Sequence, residues 1–120
     1  MEYFVGKLND ISAHNGTVIQ AGDMEIGVFR IKGQLRAYEN RCLHQGGPVC
    51  RGEVLGRLEQ ILAPDKTVIG ERFSEEEIHV VCPWHGWEYD LETGACAADR
   101  RFKLRSFRVV VRDDDVYVVA

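Results

Sequence analysis

Cys42-Leu43-His44-Gln45-Gly46-Gly47 and Cys82-Pro83-Trp84-His85-Gly86-Trp87 are the two stretches on which the reading of this chain turns. Written as donors, they are C-x-H and C-x-x-H. Thiolate and imidazole are common ligands of borderline and soft metals, and each Cys–His pair is close enough to sit in one loop. The neighbouring glycines let a backbone curl around a metal and aim amides at sulfur. Two of the four cysteines and two of the four histidines fall in these motifs, so incidental placement is a poor explanation. A mononuclear zinc site is the alternative. Zinc motifs commonly take both cysteines from one loop and both histidines from another. Here each loop offers one of each, which suits two irons, one held by both cysteines and one by both histidines.

The flanking residues read as strands. Apolar and β-branched runs lie at 3–8, 17–20, 26–32, 35–38, 78–81, 87–91, 107–112 and 116–119. Gly33-Gln34 and Asp113-Asp114-Asp115 are placed to turn hairpins, and Glu92-Thr93-Gly94 to turn a loop. Short strands at this spacing predict an all-β sandwich or small barrel. Residues 51–77 are ambiguous. Val54, Leu55, Leu58, Ile61 and Leu62 follow helical spacing, but Gly56 interrupts it and Pro64-Asp65 reads as a turn. A β-hairpin over 58–63 and 67–73 is the favoured reading.

A chain of 120 residues, 45% apolar and 28% charged, fits one globular domain. No apolar run approaches the ~18–20 residues of a membrane span. The N-terminus lacks a basic region followed by an apolar stretch. A soluble, cytoplasmic protein with no membrane partner is expected. The net charge of −4 argues against nucleic acid as the main partner. Charge is uneven: 99–112 holds six basic residues and one acidic, whereas 71–77 holds four acidic and one basic. These are solvated surface or a docking surface for a charged protein.

With both loops in view, the chain resembles the Rieske family of [2Fe–2S] proteins, from about residue 3 to residue 119. The resemblance implies one [2Fe–2S] cluster. Cys42 and Cys82 would bind one iron, and His44 and His85 the other, more exposed one. Gln45, Gly47, Gly86, Trp87 and Tyr89 would line the cluster. The family fold implies stacked antiparallel sheets, with 1–39 and 92–120 as a β-base. Residues 40–91 would be the cluster-binding subdomain, carrying an insertion at about 51–77. Two neutral imidazoles in place of two thiolates make the site less negative, which raises its potential above that of all-cysteine clusters.

Some members of this family join the two loops by a disulfide. Its cysteines would stand at Gly47 and Trp84, so that bridge is absent. The same members place a serine hydroxyl where Trp87 stands, while Tyr89 matches their second hydroxyl donor. Fewer hydrogen bonds to sulfur imply a potential at the low end of the Rieske range, roughly −150 to 0 mV. His-Gly-Trp-x-Tyr is similar instead to ferredoxins and oxygenase domains of aromatic-ring hydroxylation. Three features depart from the family pattern: 37 residues separate His44 from Cys82, position 43 is Leu, and 95–101 contains no proline.

Cys50 and Cys96 read as free thiols, and His14 and His79 as incidental surface residues. A catalytic iron would need a further histidine pair with a carboxylate, and no D-x-x-H-x-x-x-x-H pattern occurs. No G-x-G-x-x-G turn offers a nucleotide site. The expectation is an electron-transfer protein rather than an enzyme, a Rieske-type ferredoxin between a reductase and an oxygenase or similar terminal enzyme. An accessory or redox-sensing subunit of a larger complex, anchored by 51–77, is the alternative.

Overall fold

Runs rich in β-branched and aromatic residues build nine strands. They are β1 (Glu2–Lys7), β2 (Thr17–Ala21), β3 (Met24–Ile31), β4 (Gln34–Glu39), β5 (Glu53–Leu62), β6 (Val68–Val81), β7 (Glu88–Asp90), β8 (Ser106–Arg112) and β9 (Asp115–Val119). The structure is a computed structural model that describes all 120 residues. Helix is confined to short 3-10 turns at Leu8–Asp10 and Val49–Arg51. All strand pairs are antiparallel. One sheet has the order β1-β9-β8-β4-β3-β2 and the other β5-β6-β7, as the all-β expectation requires. No helix is long and apolar enough to cross a membrane.

From Glu53 onward, the ambiguous stretch 51–77 forms a hairpin and not an α-helix. It is longer than the expected strands, because β5 begins at Glu53 and β6 runs on to Val81. The run at 78–81 is therefore the end of β6 and not a separate strand. The acidic stretch Glu75–Glu77 hid this continuity. It sits at a bulge between the Gly56–Ile78 and Leu58–Phe73 pairs, where Ser74 Oγ accepts the N–H groups of Glu76 and Glu77. At the tip, Asp65 Oδ1 accepts both the N–H and the hydroxyl of Thr67.

Two predicted turns shift by one residue. Ile31 pairs with Gln34, so the β3–β4 loop is Lys32-Gly33, with φ of 51° and 76°. Two left-handed residues match the strand twist of a tight hairpin. A lysine gives no such signal in sequence. Arg112 pairs with Asp115, which leaves Asp113-Asp114 as the β8–β9 loop.

β3 is covered on both faces, which joins the two cores. Ile26 and Val28 pack with Ala37, Val116 and Val118. That cluster also takes Tyr3 and Val5 of β1 and Ile19 of β2. Strands at both ends of the six-strand order thus share one core, so the sheet curls. On the other side Phe29 and Ile31 join Tyr38, Val80, Tyr89 and Leu91. This second core ties the curled sheet to β6 and β7, and all four cysteines lie in it. Each fully buried side chain of this size contributes about 1.5–3 kcal/mol. The Tyr38 hydroxyl donates to the Leu91 carbonyl at 2.7 Å, and burial lifts its pKa to about 12.

Candidate metal centre

The two motif loops share one backbone frame. In the first, the Cys42 N–H donates to the Gly47 carbonyl and the Gly46 N–H to the Cys42 carbonyl, each at 2.8 Å. In the second, the Cys82 N–H donates to the Trp87 carbonyl at 2.8 Å and the Gly86 N–H to the Cys82 carbonyl at 3.0 Å. Gly46 and Gly86 close the frames with φ of 76° and 74°, a conformation costly for any side chain. The cysteines thus occupy equivalent places, and the histidines differ by one step along the same turn. β4 leads into the first loop, and β6 and β7 flank the second.

This frame sorts the donors. Cys42 and Cys82 are buried, whereas His44 and His85 are exposed. The imidazoles face each other across the loops, centroids 4.7 Å apart and planes at 82°. Burial lifts the Cys82 thiol above its ordinary pKa. The backbone N–H groups of Trp84 and His85 aim at its sulfur and pull the other way, while adjacent Cys42 raises it further. Two abutting buried sulfurs with amides aimed at one of them suit thiolates on a cation. The donors come as a cysteine pair and a histidine pair, which fits a two-iron cluster better than one zinc.

Tyr89 is fully buried, and its hydroxyl lies 3.2 Å from Cys42 Sγ. The Leu43 N–H donates to the same oxygen at 3.1 Å. With Cys42 as a thiolate, which can only accept, the hydroxyl is the donor of this pair. Burial and Cys42 hold the Tyr89 pKa well above its ordinary value. Gln45 is exposed in the first loop.

Both tryptophans of the second loop reach the first. Trp87 stacks on the His44 imidazole, centroids 4.5 Å apart and planes 10° from parallel. Trp84 lies over Gly47, where an added Cβ would sit 2.8 Å from the indole. Sequence reading missed both contacts, since they join residues about 40 positions apart. The only hint was that a bulky and a bare residue replace the two disulfide positions.

His79 corrects an expectation: it is 1% exposed, not a surface residue. β6 lies between β5 and β7 at this level, with His79 in register with Leu55 on one side and Asp90 on the other, and Glu77 and Glu88 flank its ring. Nδ1 lies 3.0 Å from Glu88 Oε1, and Nε2 3.7 Å from Glu77 Oε1 with no hydrogen-bond partner. Glu77 in turn pairs with Arg100 and Arg57 at 2.7 and 3.2 Å. His14 is exposed, as expected. Cys50 and Cys96 are buried free thiols, and burial raises Cys50 to about 12.

Known proteins resemble this chain in sequence and in fold. The family model described as the Rieske [2Fe–2S] domain matches residues 1–108. A human protein described as Rieske domain-containing is 30% identical over 90 residues, which are 75% of this chain and 46% of that one. The chain spans about half the length of that relative. Among solved structures, the ferredoxin of carbazole 1,9a-dioxygenase from Nocardioides aromaticivorans IC177 is similar at a TM-score of 0.68 and 19% identity. The match covers 99% of this chain and 97% of that one. A Mycobacterium tuberculosis protein described as an NADH-dependent nitrite reductase small subunit gives 0.72 and 19%, covering 100% and 96%. At these identities the structures bear on the fold alone.

Proposed function

Because the chain belongs to the Rieske [2Fe–2S] family, we propose that it is a one-electron carrier between a reductase and an oxygenase or similar terminal enzyme. Cys42 and Cys82 would hold one iron, and His44 and His85 the other. Residues 40–91 would act as the cluster-binding subdomain. The observation that carries this is the pair of matched loop frames, which bury the two sulfurs and expose the two imidazoles. When bound, the cluster supplies a one-electron couple at a potential set by its surroundings.

The chain's own groups tune and orient that couple. With Cys42 bound to iron as a thiolate, the Tyr89 hydroxyl 3.2 Å away would donate to it and favour the more negative, reduced state. Trp87 brings no hydroxyl and instead lies flat on His44. One hydroxyl instead of two supports a potential at the low end of the Rieske range. The exposed His44–His85 edge is the contact point for redox partners. The two cysteines outside the ligand set, Cys50 and Cys96, are unbridged, which suits a reducing cytoplasm.

The purified protein should contain two irons and two labile sulfides per chain and take up one electron reversibly. A colourless protein with a single zinc would overturn the assignment. A fixed subunit of a larger oxidoreductase is the second reading, favoured by the exposed hairpin of β5 and β6. A carrier should copurify weakly with its partners, and a subunit in fixed stoichiometry.

A further inference from the structure

The distal part of the β5–β6 hairpin has a surface that electron transfer at the loops does not use. Six of the chain's twelve exposed large apolar side chains fall within residues 58–73. Strand alternation puts Leu58, Gln60 and Leu62 on one face, and the register sets Phe73, Glu71 and Val68 opposite them. Leu58, Leu62, Val68 and Phe73 are each more than half exposed, so this apolar face lacks a cover. β7 pairs with β6 only at His79–Val81, so the outer edges of both distal strands are open. An open edge beside an apolar face is a liability unless something binds there.

Charge indicates what binds. Residues 53–77 hold seven acidic and three basic residues, a net −4 that equals the charge of the whole chain. The rest of the molecule is therefore balanced. Within the hairpin, Glu77 is tied to Arg57 and Arg100, and Glu59 to Arg72. Glu71 and Glu75 have no ion pair. Glu75 lines a hollow at the bulge together with Phe73, Ser74 and Arg72. The face thus carries one unpaired carboxylate, Glu71, between its two apolar pairs, and a second, Glu75, lies beyond Phe73. A second copy is a poor occupant: face against face would set Glu71 and Glu75 against like charges, with Arg57 and Arg72 already paired. Three of the six basic residues in 99–112 are also committed within the chain, to Glu77, Asp99 and Glu2.

We propose that residues 58–73 are a docking arm for a different protein, one whose apolar furrow is flanked by arginine or lysine. Leu58 and Phe73 would enter the furrow, and Glu71 and Glu75 would meet its basic border. The arm is separate in sequence from both motif loops. It would hold a partner while His44 and His85 remain available, whether the chain is a mobile carrier or a fixed subunit. Border charges act mainly on association rate and salt dependence, and a buried aromatic anchor on dissociation.

The test is a photo-crosslinking residue at Phe73 of the full, cluster-loaded chain in its native cells, with a second at Val111 as control. The crosslinked protein is then purified and titrated against the unaltered chain at low and high salt, and against the Glu71→Lys/Glu75→Lys variant. The visible spectrum confirms that each variant keeps its cluster, which keeps failure of the arm distinct from failure of the carrier reading. The proposal expects one partner crosslinked from position 73 and not from 111. It also expects binding at least tenfold weaker at 500 mM than at 50 mM salt, and a comparable loss on charge reversal. Should the variant lose its cluster, the salt series on the unaltered chain decides. Crosslinks between two copies of this chain, no crosslink at all, or binding indifferent to salt and charge reversal would each overturn it.

Discussion

The Tyr89 hydroxyl stands 3.2 Å from the Cys42 sulfur while accepting the Leu43 N–H at 3.1 Å. One oxygen thus holds the first loop's backbone and stands within hydrogen-bond reach of the sulfur proposed to bind iron. Tyr89→Phe should therefore lower the midpoint potential. A hydrogen bond of about 0.5–1.5 kcal/mol converts to roughly 20–65 mV for one electron. Film voltammetry measures it. An unchanged or higher potential would mean the hydroxyl does not act on the sulfur.

Cys42→Ser and Cys82→Ser should each abolish the visible cluster bands, because metal retention and folding of these loops are coupled. Cys50→Ser and Cys96→Ser should leave the bands in place. Cys50 Sγ faces the carbonyls of Tyr38 and Glu39, which a serine hydroxyl can also meet. Absorption spectra of the four purified variants check this.

Trp84 over Gly47 is a non-covalent clasp between the loops. Trp84→Ala should speed iron loss to a chelator by roughly tenfold, if about 50 Å² of apolar contact is lost at ~25 cal/mol per Å². An ideal Cβ on Gly47 lies 2.9 Å from Trp84 Cγ. Adding one C–C bond of about 1.5 Å puts the two Cβ atoms at most about 4.4 Å apart, within disulfide range. The double variant Gly47→Cys/Trp84→Cys should then oxidise and restore slow iron loss. Loss of iron at the wild-type rate from Trp84→Ala would dismiss the clasp.

Glu77 gives the fold an acid-sensitive point. The Arg100 guanidinium holds its carboxyl below the ordinary value of 4.5, with Arg57 adding to the effect. A depressed carboxyl stabilises the fold above its unfolded pKa, and that stability is lost as pH falls through the folded one. The Tm gap between the wild type and Glu77→Gln should be widest near neutral pH and close toward pH 3. Thermal melts across that range measure it, and a gap constant with pH would exclude the linkage.

The two motif loops were legible because each Cys–His pair is local: two or three residues fix which side chains share a loop. The strands were legible for a similar reason, since β-branched runs and punctuating glycines act over a few positions. What escaped was what only the tertiary fold brings together. The stacking of Trp87 on His44 and the packing of Trp84 on Gly47 need both loops closed and facing. His79 was misread because its burial depends on the strands and the Glu77 and Glu88 side chains that the sheet assembles around it, which strand composition does not encode. The β3–β4 turn moved by one residue because Lys32 takes a left-handed conformation that its side chain does not favour.

The central claim is that two histidines from two loops, with two cysteines, hold one redox-active [2Fe–2S] cluster. Electron spin-echo spectroscopy of the reduced protein tests it most directly, since coupled nitrogens report imidazoles bound to iron. The account predicts two strongly coupled histidine nitrogens, both lost from the spectrum when histidine is isotopically replaced. A reduced cluster without histidine nitrogen coupling, or a protein with no paramagnetic reduced state, would contradict it.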